Sequence, residues 1–247
     1  MGIKVTENFQ RPYLSKNIKE YWKRWHITMG TWFTDYIFYP ISVCKPMLKL
    51  SKFSRAKFGE VIGKRVPVYL SSFAVWFTTG IWHGASWNFI VWGLMNFVVI
   101  MISQELEPLY AKFHNRFHVK DKKWYGAFEI IRTILLMSCL RMFDCYRDVP
   151  LTFKMFGNMF TNFNLADLNA EAFLGLGLTV ADYVLLFICF LILLTVSLIQ
   201  EKKGSVRDLI FACPAWCKYA VFGLLVLVVL VFGAYGIGYD QSQFIYN

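Results

Sequence analysis

The chain has 247 residues, of which 57% are hydrophobic and 19% aromatic, and its formal net charge is +10. This composition argues against an ordinary soluble domain and indicates a multi-pass membrane protein that contacts lipid. The basic residues flank the apolar segments and do not gather on one soluble surface, so the charge does not indicate nucleic-acid binding.

Residues 15–40 predict a helix that lies in the cytoplasmic headgroup region of a membrane. Asn17 followed by Glu20 is typical of a helix start, because the first side chain caps the helix and the acid follows three residues later. Beyond this start, large apolar side chains recur at helical spacing beside a row of lysines: Trp22, Trp25, Met29, Trp32, Phe33 and Tyr36. His26 falls on the border between the apolar and basic faces. The pattern is typical of an interfacial anchor, and a basic cytoplasmic loop over residues 41–65 follows it.

The longest uncharged stretch runs from Val66 to Gln104. About 20 apolar residues cross the hydrocarbon layer, so this stretch is too long for one membrane helix. It predicts a helical pair over residues 66–103, folded back around Trp82-His83-Gly84-Ala85-Ser86-Trp87. An ionisable side chain at such a place is costly to keep dry, which makes His83 a functional candidate. The alternative is an interfacial histidine beside two tryptophans.

Three further membrane segments are predicted over residues 127–143, 179–200 and 219–239. The first is the weakest because Glu129, Arg132 and Arg141 interrupt it. These arginines could pair with Glu129 or Asp144 or meet an anionic group, and for Arg141 we favour snorkelling to the interface. Every long basic loop falls on one side of the five segments, so the positive-inside rule places those loops in the cytoplasm and the His83 turn outside.

The predicted fold is therefore an all-α polytopic membrane protein. It has about five transmembrane helices and an N-terminal interfacial amphipathic helix. No metal site is predicted, because the six cysteines show no ligand spacing. His114 and His118 stand four residues apart, but they lack a convincing third ligand.

Several short motifs follow one another in order along the chain. They are Glu7-Asn8-Phe9, Tyr21-Trp22-Lys23-Arg24-Trp25-His26, Gly80-Ile81-Trp82-His83-Gly84-Ala85-Ser86-Trp87-Asn88 and Phe244-Ile245-Tyr246. In this order and spacing, the set resembles the membrane-bound O-acyltransferase family, in particular its bacterial, alginate O-acetylation-like branch. The resemblance covers nearly the whole chain but only the second half of a typical member. We therefore expect residues 1–247 to form one membrane-embedded region of a larger helical fold, as a fragment of a longer protein.

The resemblance implies roles for individual residues. The histidine of Trp-His-Gly is the catalytic residue of the family, which carries over to His83, and the second polar position of the family corresponds to His26. His26 would polarise a thioester carbonyl, guide the arm of the donor or pack at the tunnel mouth. Motif residues around the two histidines would support the substrate tunnel: Trp22, Arg24, Trp25, Trp82, Gly84, Ser86, Trp87 and Asn88.

The chemistry implied is transfer of an acyl group from a thioester to a hydroxyl. That reaction needs a base for the hydroxyl proton, and the imidazole of His83 suits this role because its ordinary pKa, about 6.5, lies near working pH. A transient acyl-histidine is the alternative. No bound cofactor is expected; the donor would be acetyl-CoA or a phosphopantetheine carrier thioester on the cytoplasmic side.

Three functions remain open from the sequence. The first is acetyl transfer toward hydroxyls of an exported or cell-wall polysaccharide in a bacterial cytoplasmic membrane, with an extracytoplasmic acyltransferase as partner. The second is D-alanyl transfer toward teichoic acid from an acyl carrier protein. The third is a transporter or scaffold subunit without chemistry of its own, which would be expected to show repeated, Gly/Pro-broken helices.

Overall fold

The computed structural model describes residues 5–162 and 164–233 of the chain. Within these residues the secondary structure is helical, and the only extended pairing is an isolated bridge between Phe9 and Trp25. The prediction of an all-α protein is confirmed. The chain divides into two compact units, Met1–Phe163 and Asn164–Asn247, and each is described by itself below.

The first unit begins with a 3-10 turn at Pro12–Leu14 and contains a π-helical turn at Thr34–Phe38. Its α-helices are α1 Ile18–Arg24, α2 Ile27–Phe33, α3 Tyr39–Val43, α4 Lys45–Phe58, α5 Glu60–His83, α6 Trp87–Glu105, α7 Glu107–Phe117, α8 Lys123–Cys145 and α9 Val149–Thr161.

The second unit opens with a 3-10 turn at Leu165–Asp167. Its helices among the described residues are α10 Ala170–Leu174, α11 Val180–Lys203, α12 Val206–Phe211 and α13 Ala215–Phe232.

The predicted membrane segments coincide with helices of the structure. The pair over residues 66–103 corresponds to α5 and α6, and the segments over 127–143 and 179–200 fall on α8 and α11. The last segment begins in α13, and its residues beyond 233 lie outside the described part of the chain. Within that part, three helices, α6, α11 and α13, have the length and apolar composition needed to cross a membrane.

The apolar surfaces of α11 and α13 are not covered by any residue that the structure describes. The most apolar stretch of each of these two helices is entirely unburied, whereas a third of the corresponding stretch of α6 is buried. A helix that is apolar all round is stable only in an apolar surrounding. These two helices therefore identify the chain as a membrane protein.

The predicted N-terminal helix is divided in the structure. It breaks at Trp25 and His26, between α1 and α2, where the backbone on either side of this pair bonds to the preceding segment. Gln10 N donates to Arg24 O over 2.9 Å, and Ile27 N donates to Asn8 O over 3.1 Å. The aromatic row is divided too. Trp22 packs within the protein, while Trp32 and Tyr36 are more than half exposed.

Two contacts fix the first unit. In the hairpin of α5 and α6, a Cβ on Gly93 would lie 2.4 Å from Trp76 O, so only glycine lets the helices approach this closely. Against α8, the first helix buries Ile18 and Tyr21 together with Met137 and Leu140 in one hydrophobic cluster. The first contact holds α5 against α6, and the second holds α1 against α8.

Candidate active site

His83 is the last residue of α5, and aromatic rings surround it. The centroid of its imidazole lies 4.6 Å from the Trp92 ring, 4.9 Å from the Trp82 ring and 6.2 Å from the Phe89 ring. Trp92 and Phe89 are three residues apart on α6 and are both buried. The imidazole is therefore held against one face of α6 by packing.

The turn after His83 depends on close approach of the backbone to α6. A Cβ on Gly84 would lie 2.6 Å from the Phe89 ring, so a larger residue would force this turn away from the helix. Ser86 precedes α6, and its hydroxyl donates to the side-chain oxygen of Asn88. Asn88 is fully buried, and its Nδ2 donates to Phe143 O over 3.2 Å. The turn is thereby tied to the end of α8.

His26 occupies an unusual backbone conformation. Its φ of 47° and ψ of 52° lie in the left-handed region, which costs an L-residue with a Cβ about 1–2 kcal/mol. Asn8 maintains it: Thr28 N and Thr28 Oγ1 donate to Asn8 Oδ1 over 3.0 and 2.6 Å. Strain of this kind, held by surrounding bonds, occurs preferentially at functional sites.

The two histidines converge on Trp82. The Trp82 ring lies 6.4 Å from His26 and 4.9 Å from His83, centroid to centroid. Burial lowers the pKa of His26 below its ordinary value, because desolvation disfavours the charged ring. The neutral form of His26 is favoured at neutral pH.

A cavity of about 390 Å³ opens beside His26. Its walls come from α1, α2 and α5, and Trp22, Trp25 and Trp76 supply much of the apolar surface. Thr79, one turn before His83 on α5, closes one part of it, and Lys19 and Lys23 line another. The cavity can hold a slender apolar group whose end carries a negative charge.

The other motif residues differ in their placement. Trp22 packs edge-on against Trp76 and Trp92, at 4.9 and 5.8 Å, and Trp25 stacks on Tyr21 at 5.6 Å. The Arg24 guanidinium donates to Glu20 over 2.7 Å and thus supports α1 itself. Trp87 is 75% exposed.

Two residues of the His83 surroundings were not singled out in the sequence. Phe89 and Trp92 lie beside the imidazole together with Trp82, whereas Trp87 is exposed. Their spacing in the sequence could have identified them. Residues three apart on a helix share a face, so Phe89 and Trp92 fall on the same side of the helix that follows the turn.

No group of His, Cys, Asp and Glu side chains suited to a metal ion occurs among the residues that the structure describes. His114 instead forms a 2.8 Å hydrogen bond with the Tyr125 hydroxyl. The C-terminal motif Phe244-Ile245-Tyr246 lies outside the described residues.

Curated proteins similar to this chain are acyl-transferring enzymes by name. They include the probable alginate O-acetylase AlgI of Azotobacter vinelandii, 28% identical over 68% of this chain, and the peptidoglycan O-acetyltransferase of Helicobacter pylori, 31% identical over 46%. The teichoic acid D-alanyltransferase of Bacillus subtilis is 36% identical over 54%. The matched parts cover 29%, 18% and 30% of those three proteins, so the chain spans less than a third of each.

The family model of the membrane-bound O-acyltransferases matches residues 2–146. These residues contain the His26 segment, the hairpin of α5 and α6 and the end of α8, which together build the site described above. The chain belongs to the membrane-bound O-acyltransferase family.

Proposed function

We propose that this chain carries the reaction centre of a membrane-bound O-acyltransferase that moves an acyl group from a thioester to a hydroxyl. The observation that carries the proposal is the convergence of His83 and His26 on one tryptophan, beside an apolar cavity with lysines in its wall. His83 ends a closely packed helical hairpin, and a base must be held in place to act efficiently.

In the proposed reaction, neutral His83 accepts the proton of the acceptor hydroxyl. The hydroxyl oxygen attacks the thioester carbonyl carbon and forms a tetrahedral oxyanion. Collapse of this intermediate breaks the carbon–sulfur bond, and the leaving thiolate takes the proton from the imidazolium. The products are an ester and a free thiol. The base accounts for roughly 10²–10⁴-fold of the rate.

In this scheme His26 acts on the donor. It lines the cavity together with Trp22 and Trp25, and the walls suit the arm of a pantetheine thioester. Lys19 and Lys23 would attract the phosphates that such a donor carries. His26 would orient the thioester carbonyl or stabilise charge on its oxygen.

The donor we favour is acetyl-CoA, and the acceptor a polysaccharide that is exported or belongs to the cell wall. Support comes from the names of the alginate and peptidoglycan O-acetylating relatives. The location would be a bacterial cytoplasmic membrane, with the donor on the basic side and an extracytoplasmic acyltransferase completing transfer outside. A second candidate is D-alanyl transfer from a carrier protein, favoured by the 36% identity to the teichoic acid enzyme.

The test measures base-labile ester on surface polymers of cells that carry the intact gene or its His83→Ala form. Mild alkali releases the acyl group, and its identification as acetate or D-alanine names the donor class. We expect loss of one product in His83→Ala cells with normal membrane abundance of the protein. His118→Asn is the matched control, because His118 is exposed and ends α7 in a left-handed conformation that Asn tolerates.

A transporter or scaffold without chemistry makes the opposite prediction. The ester level would be unchanged in His83→Ala cells, and only loss of whole helices would abolish export or assembly. That result would remove His83 from catalysis and refute the proposed function.

A further inference from the structure

A second cavity, of about 880 Å³, lies between α1, α6, α7 and α8. It is located where the membrane helix α6 ends: Val99, Ile102 and Ser103 line it, and the uncharged stretch of the sequence stops at Gln104. The charged helix α7 follows and supplies another wall. A molecule in this cavity therefore has one part beside a membrane helix and another part beside charged side chains, which suits an amphipathic ligand.

Part of the cavity wall is apolar or already hydrogen-bonded. Three aliphatic side chains line it: Val99, Ile102 and Leu136. Tyr125 is 6% exposed, and its hydroxyl forms the 2.8 Å hydrogen bond with His114 Nε2. Thr133 is 2% exposed, and its Oγ1 donates to Glu129 O over 2.8 Å. The groups that can recognise the polar part of a ligand are therefore the charged side chains.

The charged side chains of the wall balance one another. Basic and acidic residues line the cavity in equal number, and one pair of them, Lys19 and Glu107, lies 4.0 Å apart. This balance disfavours a polyanion such as the nucleotide of CoA, which is attracted by a surplus of positive charge. It favours a ligand that carries one charge of each sign.

Three of the charges follow one another along α8. The Lys16 side chain lies against its first turn, since a Cβ on Gly126 would be 3.8 Å from Lys16 Nζ. Arg132 Nη2 donates to Lys16 O over 2.9 Å, which holds the guanidinium near the same segment. Glu129 is three residues from Gly126 and three from Arg132, so about 4.5 Å along the axis separates it from each. Its carboxylate makes no hydrogen bond or ion pair with any residue that the structure describes.

We infer that this cavity binds a phospholipid whose headgroup carries a phosphate and a primary ammonium, as in phosphatidylethanolamine. The ammonium donates to the Glu129 carboxylate, the phosphate accepts from the flanking cations Lys16 and Arg132, and an acyl chain lies along the aliphatic wall. Phosphatidylcholine has no N–H to donate to the carboxylate, and phosphatidylglycerol has no positive charge, so both bind more weakly. The inference goes beyond the proposed function and does not depend on the chemistry at His83.

The test is thermal unfolding in detergent of the purified protein expressed from the intact gene. It is titrated with phosphatidylethanolamine, phosphatidylglycerol or phosphatidylcholine of the same acyl chains. A ligand that binds only the folded protein raises Tm once its concentration exceeds its Kd. We expect phosphatidylethanolamine to act at a concentration about tenfold lower than either other lipid, because only it makes the charge-assisted hydrogen bond to the carboxylate.

A soluble form of the headgroup separates a membrane lipid from a free metabolite. Glycerophosphoethanolamine has the same two charges but no acyl chain, so it should need a concentration at least about tenfold higher than the lipid. Equal potency of these two molecules would make the ligand a soluble compound and overturn the inference. Equal potency of the three phospholipids would overturn it as well.

Variants of Glu129 test the recognition of the ammonium. Glu129→Gln should abolish the roughly tenfold preference for phosphatidylethanolamine, and Glu129→Lys should reverse the order in favour of phosphatidylglycerol. A reversed order cannot result from misfolding, which weakens the binding of every lipid. The matched control is Glu171→Gln, an exposed acid of α10 outside the cavity, and it should keep the parental order.

A lysine variant tests the recognition of the phosphate. Lys16→Gln should weaken all three lipids alike, since all carry the phosphate, whereas Lys154→Gln, an exposed lysine of α9 outside the cavity, should not. A parental lipid order in Glu129→Gln would mean that lipid acts only on the apolar helix surfaces, and the inference would fall. If Glu129→Lys does not accumulate, Glu129→Gln decides alone. The titration uses no activity, so its failure leaves the proposed function standing.

Discussion

Replacing His26 by Gly or by Ala tests whether its backbone conformation is a strained feature maintained for function. Both variants remove the imidazole and its ring contacts with Phe9 at 4.8 Å, Trp25 at 5.5 Å and Trp82 at 6.4 Å. They differ only in the Cβ, and the φ of 47° at this position disfavours a Cβ. Comparing the two variants therefore isolates the cost of the left-handed conformation.

The expected difference follows from two opposing terms. A left-handed residue with a Cβ costs about 1–2 kcal/mol, and glycine escapes this cost. Glycine loses more backbone freedom on folding, which offsets about 0.5–1 kcal/mol of the gain. The Gly variant should be more stable by roughly 0.5–1 kcal/mol, or by about 1–4 °C in Tm for a chain of this size. In an ordinary helical position the order is reversed, and Ala is favoured by about 1 kcal/mol.

The assay is thermal unfolding of the intact protein in one detergent, with the parent, His26→Gly and His26→Ala measured side by side. Both variants should also lose activity if the imidazole orients the donor. A Tm of His26→Ala equal to or above that of His26→Gly would refute the strained conformation at this position. Retained activity in both variants would refute a role for the ring, whatever their stabilities.

Two further predictions concern packing and pH. Gly93→Ala places a Cβ 2.4 Å from Trp76 O, so it should destabilise the hairpin of α5 and α6 by about 1–3 kcal/mol. The control is Gly223→Ala in α13, where nothing lies within 4 Å of the added Cβ, and its Tm should be unchanged or raised. Equal effects of the two substitutions on Tm would contradict the packing argument. Because burial lowers the pKa of His26 below 6.5, the unfolded chain binds a proton at a pH where the folded chain does not, and stability is lost as pH falls through that window. Between about pH 7.5 and about pH 5.5, the Tm of the parent should therefore fall more than the Tm of His26→Asn. Equal falls in the two Tm values would contradict a lowered pKa of His26 in the folded chain.

The membrane helices were predictable from the sequence because apolar length is a local property. The segments on α6 and α11 needed only a count of consecutive apolar residues against the thickness of the hydrocarbon layer. His83 was singled out for the same reason, as an ionisable residue inside such a stretch. None of this required knowledge of which helices touch.

The break at Trp25 and His26 was not predictable in this way. Helical periodicity continues through these residues in the sequence. The interruption depends on hydrogen bonds that Ile27 and Thr28 donate to Asn8, about 20 residues earlier in the chain. The same holds for Trp87, whose place next to the motif suggested contact with His83 but which the start of α6 leaves exposed.

Composition and periodicity thus decide that this chain is helical, crosses a membrane and carries a histidine at a turn between two apolar helices, because each of these depends on neighbours along the chain. The packing of α1, α5, α6 and α8 decides what surrounds that histidine. It brings Trp92 to the ring, His26 to Trp82 and the Phe143 carbonyl to Asn88. These contacts join residues far apart in sequence, so their energies exist only once the helices have packed.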